Sequence, residues 1–334
     1  MAVGRVLLGL GFFAFLVAGC GSSGGGGAEG SSDRVQVAAS ISVIGDLTEE
    51  VAGDRAEVFT IVPAGADVHT FQPSPSDAQK ISGSEVVFQN GLGLEAWMDD
   101  LVESAGGEDV RVVKLAEGLE TLEGEDGPGE ETSPEDEEHA TEEGGHEEES
   151  HAAEEHAHEH AEGNPHLWLD VHNAGRYVEK IRDALVEADP EGVETYRANA
   201  EEYLAQLEEL DAYVEEKAAS IPEDRRKLVT FHDAFPYFAA AYGFELVDVI
   251  LQNPEAEPSG REAAELVRKI EAQRVSAVFT EPQFNQGLAN TIADEAGVEV
   301  YELYSDALAD DPDADSYEDM MRTNIDRVAE GLGR

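Results

Sequence analysis

Strand-like runs alternating with helix-like stretches, on both sides of one unusually long helical stretch, predict an α/β fold. The expected architecture is two βα lobes with mostly parallel sheets, joined by one long rigid helix. Three observations carry this. Short apolar runs are bounded by turn residues. Between them, apolar positions recur at helical spacing. A stretch of about 30 residues near mid-chain keeps a helical period well beyond the usual length.

The elements follow in order. Residues 35–40 read as a strand, and 41–52 as a helix with Ile44, Leu47 and Val51 at i, i+3 and i+7. A second strand is expected at 58–62, then a Gly/Pro loop at 63–75 that contains His69. A short helix at 76–82, a buried strand at 85–90, a helix at 94–105 and a strand at 110–115 complete the first set. Helices at 171–187 and 190–221 come next, the second with Asp189 as N-cap and Pro190 in its first turn. Tyr196, Tyr203, Leu207, Leu210 and Val214 mark its apolar face. The second set then alternates strands at 228–231, 246–251, 275–280 and 298–304 with helices. Those helices are expected at 234–242, 259–273, 286–296 and 317–331, and Ser259 with Glu262 forms a capping box.

The two sets are interrupted by an insert at 117–163 with no Lys or Arg and 20 acidic residues. Like charges at such density repel and bury nothing, so it is expected to be disordered. The whole chain of 334 residues carries a formal net charge of -53. That excludes nucleic acid as a partner by repulsion and suits cation attraction, although a salt-adapted surface would look the same.

The N-terminus reads as a targeting segment: a lone Arg5, an apolar run at 6–17, then Ala18-Gly19-Cys20. Leu16-Val17-Ala18-Gly19-Cys20 resembles the lipobox of bacterial lipoproteins, which implies cleavage after residue 19 and a lipid on Cys20. The Gly/Ser-rich stretch that follows suits a tether. Cys20 is the only cysteine, so no disulfide forms within the chain. The plainer alternative is an uncleaved anchor helix. The expected layout is a signal peptide at 1–19, a lipidated tether at 20–34 and an N-terminal lobe at 35–171 carrying the insert. Linker helices at 172–224 and a C-terminal lobe at 225–334 follow.

Histidine is distributed in a way that points to metal. Six of the ten lie in the insert: His139, His146, His151, His156, His158 and His160, among glutamates. Imidazole and carboxylate together suit divalent transition metals, and the insert is read as offering weak, additional sites. The alternative is a solvated acidic tract with incidental histidines. Of the other four, His69 and His232 sit just after expected strands, and His166 lies in the turn Asn164-Pro165-His166-Leu167-Trp168. Such loop positions at strand ends are where α/β lobes place sites. His172 belongs to the first turn of a helix and is expected to be exposed. Trp97 and Trp168 read as core anchors.

These stretches, in this order, resemble a known family. They are Gly65-Ala66-Asp67-Val68-His69-Thr70-Phe71-Gln72-Pro73, Asn90-Gly91-Leu92-Gly93-Leu94-Glu95-Ala96-Trp97, Asn164-Pro165-His166-Leu167-Trp168-Leu169-Asp170, Phe231-His232-Asp233-Ala234-Phe235, Phe279-Thr280-Glu281-Pro282-Gln283-Phe284 and Tyr304-Ser305-Asp306-Ala307-Leu308. The chain looks like the metal-binding lipoproteins of bacterial zinc and manganese ABC importers, the cluster A-I (cluster 9) solute-binding proteins. The resemblance implies a metal between the two lobes, held by His69, His166, His232 and Asp306. It also implies delivery to a membrane permease, with no enzymatic activity.

Two positions depart from the family pattern. Asn164 stands where Asp is usual, and this should affect geometry more than coordination. His232 stands where the manganese branch commonly has Glu. Three imidazoles and one carboxylate suit zinc, whereas manganese prefers more oxygen ligands, so Zn2+ is the expected cargo and Mn2+ the alternative. Glu281 has two readings, an acceptor orienting a ligand imidazole or a carboxylate at a helix N-terminus. The chain is expected to work as a monomer tethered to the membrane by its lipid. A surface adhesin is a further reading of the family. A zinc hydrolase is the rival from another class, but the chain has no His-Glu-x-x-His motif.

Overall fold

The structure is a computed structural model that describes residues 34–106, 110–122, 163–251 and 259–333. Four strands, β1 (Val35–Ile41), β2 (Ala56–Val62), β3 (Val86–Gln89) and β4 (Arg111–Lys114), form a parallel sheet in the order β2-β1-β3-β4. The two inner strands are almost wholly buried, as their near-continuous apolar sequences require. The order reverses direction at β1, and in such sheets a crevice opens beyond the carboxyl ends of the strands.

Helix α1 (Ser42–Ala52) buries Val43, Ile44, Leu47 and Val51 against this sheet. Helix α2 (Pro75–Ser82) begins at a proline behind a reciprocal Ser74–Asp77 capping box. Helix α3 (Met98–Ser104) starts four residues later than the periodicity suggests. The reason is tertiary. Gly91, Leu92 and Gly93 all take positive φ (88°, 53° and 76°), which turns the chain sharply. Glu95 then points inward, where it accepts the backbone N–H groups of Asn90 at 2.8 Å and Gly91 at 3.1 Å. Ser40 donates to the same carboxylate at 2.5 Å.

Helices α4 (Val171–Ala188) and α5 (Val193–Ser220) connect the two sets of strands. Asp170 caps α4 by accepting the N–H of His172 at 2.9 Å. Asp189 does not cap α5 with its side chain. A 3-10 turn, Pro190–Gly192, intervenes, and the Asp189 carboxylate accepts instead from Arg55 Nε at 3.0 Å and Tyr196 at 2.8 Å. The 28 residues of α5 span roughly 42 Å at 1.5 Å per residue.

In the second half, β5 (Lys227–Thr230) pairs in parallel with β6 (Glu245–Val249), and β7 (Ala277–Thr280) with β8 (Glu299–Glu302). These are two two-stranded ladders with β5 packed beside β7, rather than one continuous sheet. Around them lie α6 (Pro236–Tyr242), α7 (Gly260–Gln273), α8 (Gln286–Ala296) and α9 (Tyr317–Leu332). The expected Ser259–Glu262 capping box is present at the start of α7.

Helix α5 packs on α1, α4 and α9 along one face, burying Tyr196, Ala200, Tyr203, Leu207, Leu210, Val214 and Ala218. It is therefore an embedded spine rather than a free rod. One apolar cluster runs from β1 and α1 through Trp168, Tyr177 and α5 to Phe235, Phe238 and Tyr317, so the core is continuous across the middle of the chain.

Cys20, the rest of the tether up to residue 33 and the insert histidines His139, His146, His151, His156, His158 and His160 lie outside the described residues. The described flanks of the insert are pinned together. Asn164 N–H donates to the Leu122 carbonyl at 2.8 Å, and Lys180 Nζ donates to the carbonyls of Leu115, at 2.7 Å, and Glu117. Among the described residues, no helix is long and apolar enough to cross a membrane.

Candidate metal centre

Each of the four residues singled out in the sequence is held by a different segment, three of them just beyond a strand and His166 at the entry to α4. His69 follows β2. Asp67 turns its loop by accepting the His69 N–H at 2.9 Å and the Thr70 hydroxyl at 2.7 Å. His232 follows β5, and its carbonyl accepts Thr230 Oγ1 at 3.0 Å. His166 sits in the turn that leads into α4, braced by the buried 3-10 turn Leu167–Leu169.

Asp306 follows β8, in a segment tied to the first half of the chain. Leu308 donates its N–H to Ser42 Oγ at 2.8 Å and accepts the Gly65 N–H at 2.8 Å. Trp168 ties the same segment to the His166 turn by donating Nε1–H to the Ser305 carbonyl at 2.9 Å.

One ligand atom from each of His69, His166, His232 and Asp306 lies within 4.8 Å of all the others. Asp306 is 3.1 Å from His166 Nε2 and 3.4 Å from both His69 Nε2 and His232 Nε2. The Nε2 atoms of His166 and His232 are 3.4 Å apart. For comparison, donors about 2.0–2.1 Å from a tetrahedral zinc are spaced about 3.3 Å from one another. His166, His232 and Asp306 are buried, while the His69 side chain is 15% exposed and so lies at the mouth.

The rear contacts decide what those nitrogens can do. Glu281 Oε1 is 2.8 Å from His232 Nδ1. A carboxylate only accepts, so Nδ1 carries the proton and a neutral His232 turns a bare lone pair inward through Nε2. Asn164 makes the same choice for His166. Its amide donates to the Asp233 carbonyl at 2.7 Å, which leaves Oδ1 to accept both His166 Nδ1–H and the His166 backbone N–H, each at 3.0 Å. His69 Nε2 and both oxygens of Asp306 are buried without a hydrogen-bond partner. Lone pairs with no donor therefore converge on one point, an arrangement that a cation or a proton must stabilise.

Charge within the cluster follows the same logic. Burial pushes the His166 pKa below its ordinary value, against the pull of Asp306. Burial also opposes charge on His232, but the Glu281 and Asp306 carboxylates overcome it and raise its pKa well above the usual range. Burial likewise opposes charge on Asp306, and His166 and His232 overcome it, holding that carboxyl well below the usual carboxylate range.

Of the two readings of Glu281, the structure has the carboxylate behind His232. Helix α8 starts only at Gln286 and is capped by Asn285, so Glu281 is not at its N-terminus. Its second oxygen accepts from Gln283 Nε2 at 3.1 Å and from Ser305 Oγ. His172 is exposed in the first turn of α4. Trp97 is half-buried and donates to the Val68 carbonyl at 3.2 Å, one residue before His69. Sequence reasoning places Trp168 in the core but misses its tie to Ser305, and it misses the roles of Gln283 and Ser305 altogether. Both lie inside the motifs quoted for Glu281 and Asp306, which is the signal that could have found them.

The family model described as zinc-uptake complex component A, periplasmic, matches residues 37–331. The chain belongs to this family. The manganese-binding lipoprotein MntA of Halalkalibacterium halodurans is 35% identical over 323 residues, covering 96% of each chain. The iron ABC transporter substrate-binding lipoprotein MtsA of Streptococcus pyogenes is 30% identical over 338 residues, covering 98% of each. Among solved structures, the periplasmic zinc binding protein TroA of Treponema pallidum superposes with a TM-score of 0.73 at 26% identity, covering 90% of this chain and 100% of that one.

Proposed function

We propose that this zinc-uptake family member is the extracytoplasmic component of an ABC importer that captures Zn2+ at His69, His166, His232 and Asp306 and hands it to a membrane permease. The observation that carries this is the convergence of lone pairs without donors in a buried pocket. Three imidazole nitrogens and one carboxylate at near-tetrahedral spacing favour zinc among the metals named for the relatives. The family consists of solute-binding components, and capture and release need no covalent chemistry.

The names of the relatives support a lipid anchor, for which Cys20 is the residue, and an extracytoplasmic location. A monomer with lobes at 35–171 and 225–334, bridged by 172–224, belongs to the same proposal. So does the reading of the insert histidines as weaker, additional sites.

Manganese is the second reading, and one observation favours it. Both Asp306 oxygens lie among the imidazoles without a partner, so the carboxylate can bind through both and raise the ligand count to five. Competition titration of zinc against manganese, with X-ray absorption of each loaded form, separates the two. Four-coordinate zinc that manganese does not displace supports the proposal. A preference for manganese at higher coordination overturns the choice of ion.

A further inference from the structure

The two buried imidazoles present the same atom to the centre, but they are held from behind by different chemistry. His232 Nδ1 donates to a carboxylate, Glu281, at 2.8 Å. That carboxylate is buried and fixed from its other side by Gln283 and Ser305. His166 Nδ1 donates at 3.0 Å to a neutral amide oxygen of Asn164. The same oxygen also takes the His166 backbone N–H at 3.0 Å, so it is shared between two donors.

A carboxylate behind an imidazole passes negative charge through the ring and strengthens its metal bond, and a neutral, shared acceptor does so less. The Asn164 amide is itself locked in orientation, since Nδ2 donates to Asp233 at its carbonyl (2.7 Å) and at Oδ2 (3.2 Å). His166 is therefore well placed and weakly polarised, whereas His232 is well placed and strongly polarised. A carrier must hold its ion and also give it up.

We infer that Asn164 sets the dwell time of the ion, keeping His166 a weaker donor than His232 by presenting an amide where Glu281 presents a carboxylate. This rests on the reading of the four residues as the ligand set. It assigns the deepest hold to His232 and an intermediate hold to His166. His69, at the mouth, exchanges most readily.

The test is stopped-flow release of zinc from the full-length chain into excess chelator, comparing wild type, N164D and E281Q. Partners behind metal-bound histidines typically change affinity 10- to 100-fold, so N164D is expected to slow release about 10-fold and E281Q to speed it about 10-fold. The sign discriminates, because damage to a site generally loosens it and speeds release, whereas a stronger donor slows it. The carboxylate introduced by N164D would face Asp233, so the exchange variant N164D/D233N, which keeps the net charge, is measured beside it and should also slow release. Unfolding midpoints of the metal-free variants show that each is folded. Release from N164D and from the exchange variant at or above the wild-type rate overturns this inference alone. A wild-type chain with no tightly held zinc overturns it together with the proposed function.

Discussion

Replacing Trp168 with Phe should weaken both the fold and the site. The indole is fully buried, its ring lies 5.4 Å from the His166 ring, and its N–H is donated to the Ser305 carbonyl at 2.9 Å. Phe fills most of the space but donates nothing. A buried carbonyl left without its donor costs about 1–3 kcal/mol. The missing part of the ring leaves a cavity worth on the order of 1 kcal/mol. Metal-free W168F should therefore be less stable by about 2–4 kcal/mol in urea unfolding followed by circular dichroism. Because Ser305 precedes Asp306 and Trp168 follows His166 by two residues, two of the proposed ligands lose a common support, and zinc affinity should fall about 10-fold. A loss of stability with unchanged zinc affinity would refute the positioning argument and leave Trp168 as a core residue only.

Asp46 on α1 accepts the N–H of Tyr317 at 2.9 Å, and burial aided by Glu50, Glu49 and Glu318 pushes its pKa from 3.8 to about 7. The folded chain then holds this proton more tightly than the unfolded chain, so stability should decline as pH rises from about 4 to about 7 and level off above. D46N should remove that slope and be the more stable protein near pH 8, as read from urea midpoints across the range. In the metal-free protein, the raised pKa of His232 contributes stability below about pH 6.5 that is lost as pH rises through its folded value. Asp306 contributes above its ordinary carboxyl value and loses that contribution as pH falls through its depressed folded value. The proton on His232, whose pKa is raised, competes with zinc at higher pH than the proton on His166, whose pKa is depressed. Zinc affinity measured by competition should therefore fall over a broad range as the pH is lowered, and an affinity flat between about pH 7.5 and about pH 5.5, a window that spans the ordinary imidazole value, would count against the ligand set.

Much of the fold was legible because the signals were local. The buried runs of β1, β3 and β7 stand out as apolar, α8 begins and ends where its pattern does, and Ser259 with Glu262 marks the start of α7. The misses share a long-range cause. Glu95 delays α3 because its carboxylate reaches Ser40, 55 residues earlier. Asp189 leaves its cap for Arg55, 134 residues away. No periodicity reports that β5–β6 and β7–β8 form separate ladders.

For the site, His69, His166 and His232 stood out as loop histidines, whereas Asp306 could be named only through the family resemblance carried by its stretch. What could not be named were the supports that cross the chain. Trp168 reaches Ser305 across 137 positions, Leu308 reaches Ser42 across 266, and Asn164 reaches Asp233 across 69. Asn164 stood out as a departure from the family pattern, but its choice of tautomer for His166 became visible only with Asp233 beside it.

Three imidazoles and one carboxylate are proposed to hold a single ion. The most direct test is zinc titration of wild type and H166A, with a deletion of residues 123–162 measured in parallel to separate weaker equivalents. One tight equivalent is expected that survives the deletion and weakens by orders of magnitude in H166A. A tight equivalent that persists unchanged in H166A, or that disappears with residues 123–162, would contradict the proposed ligand set.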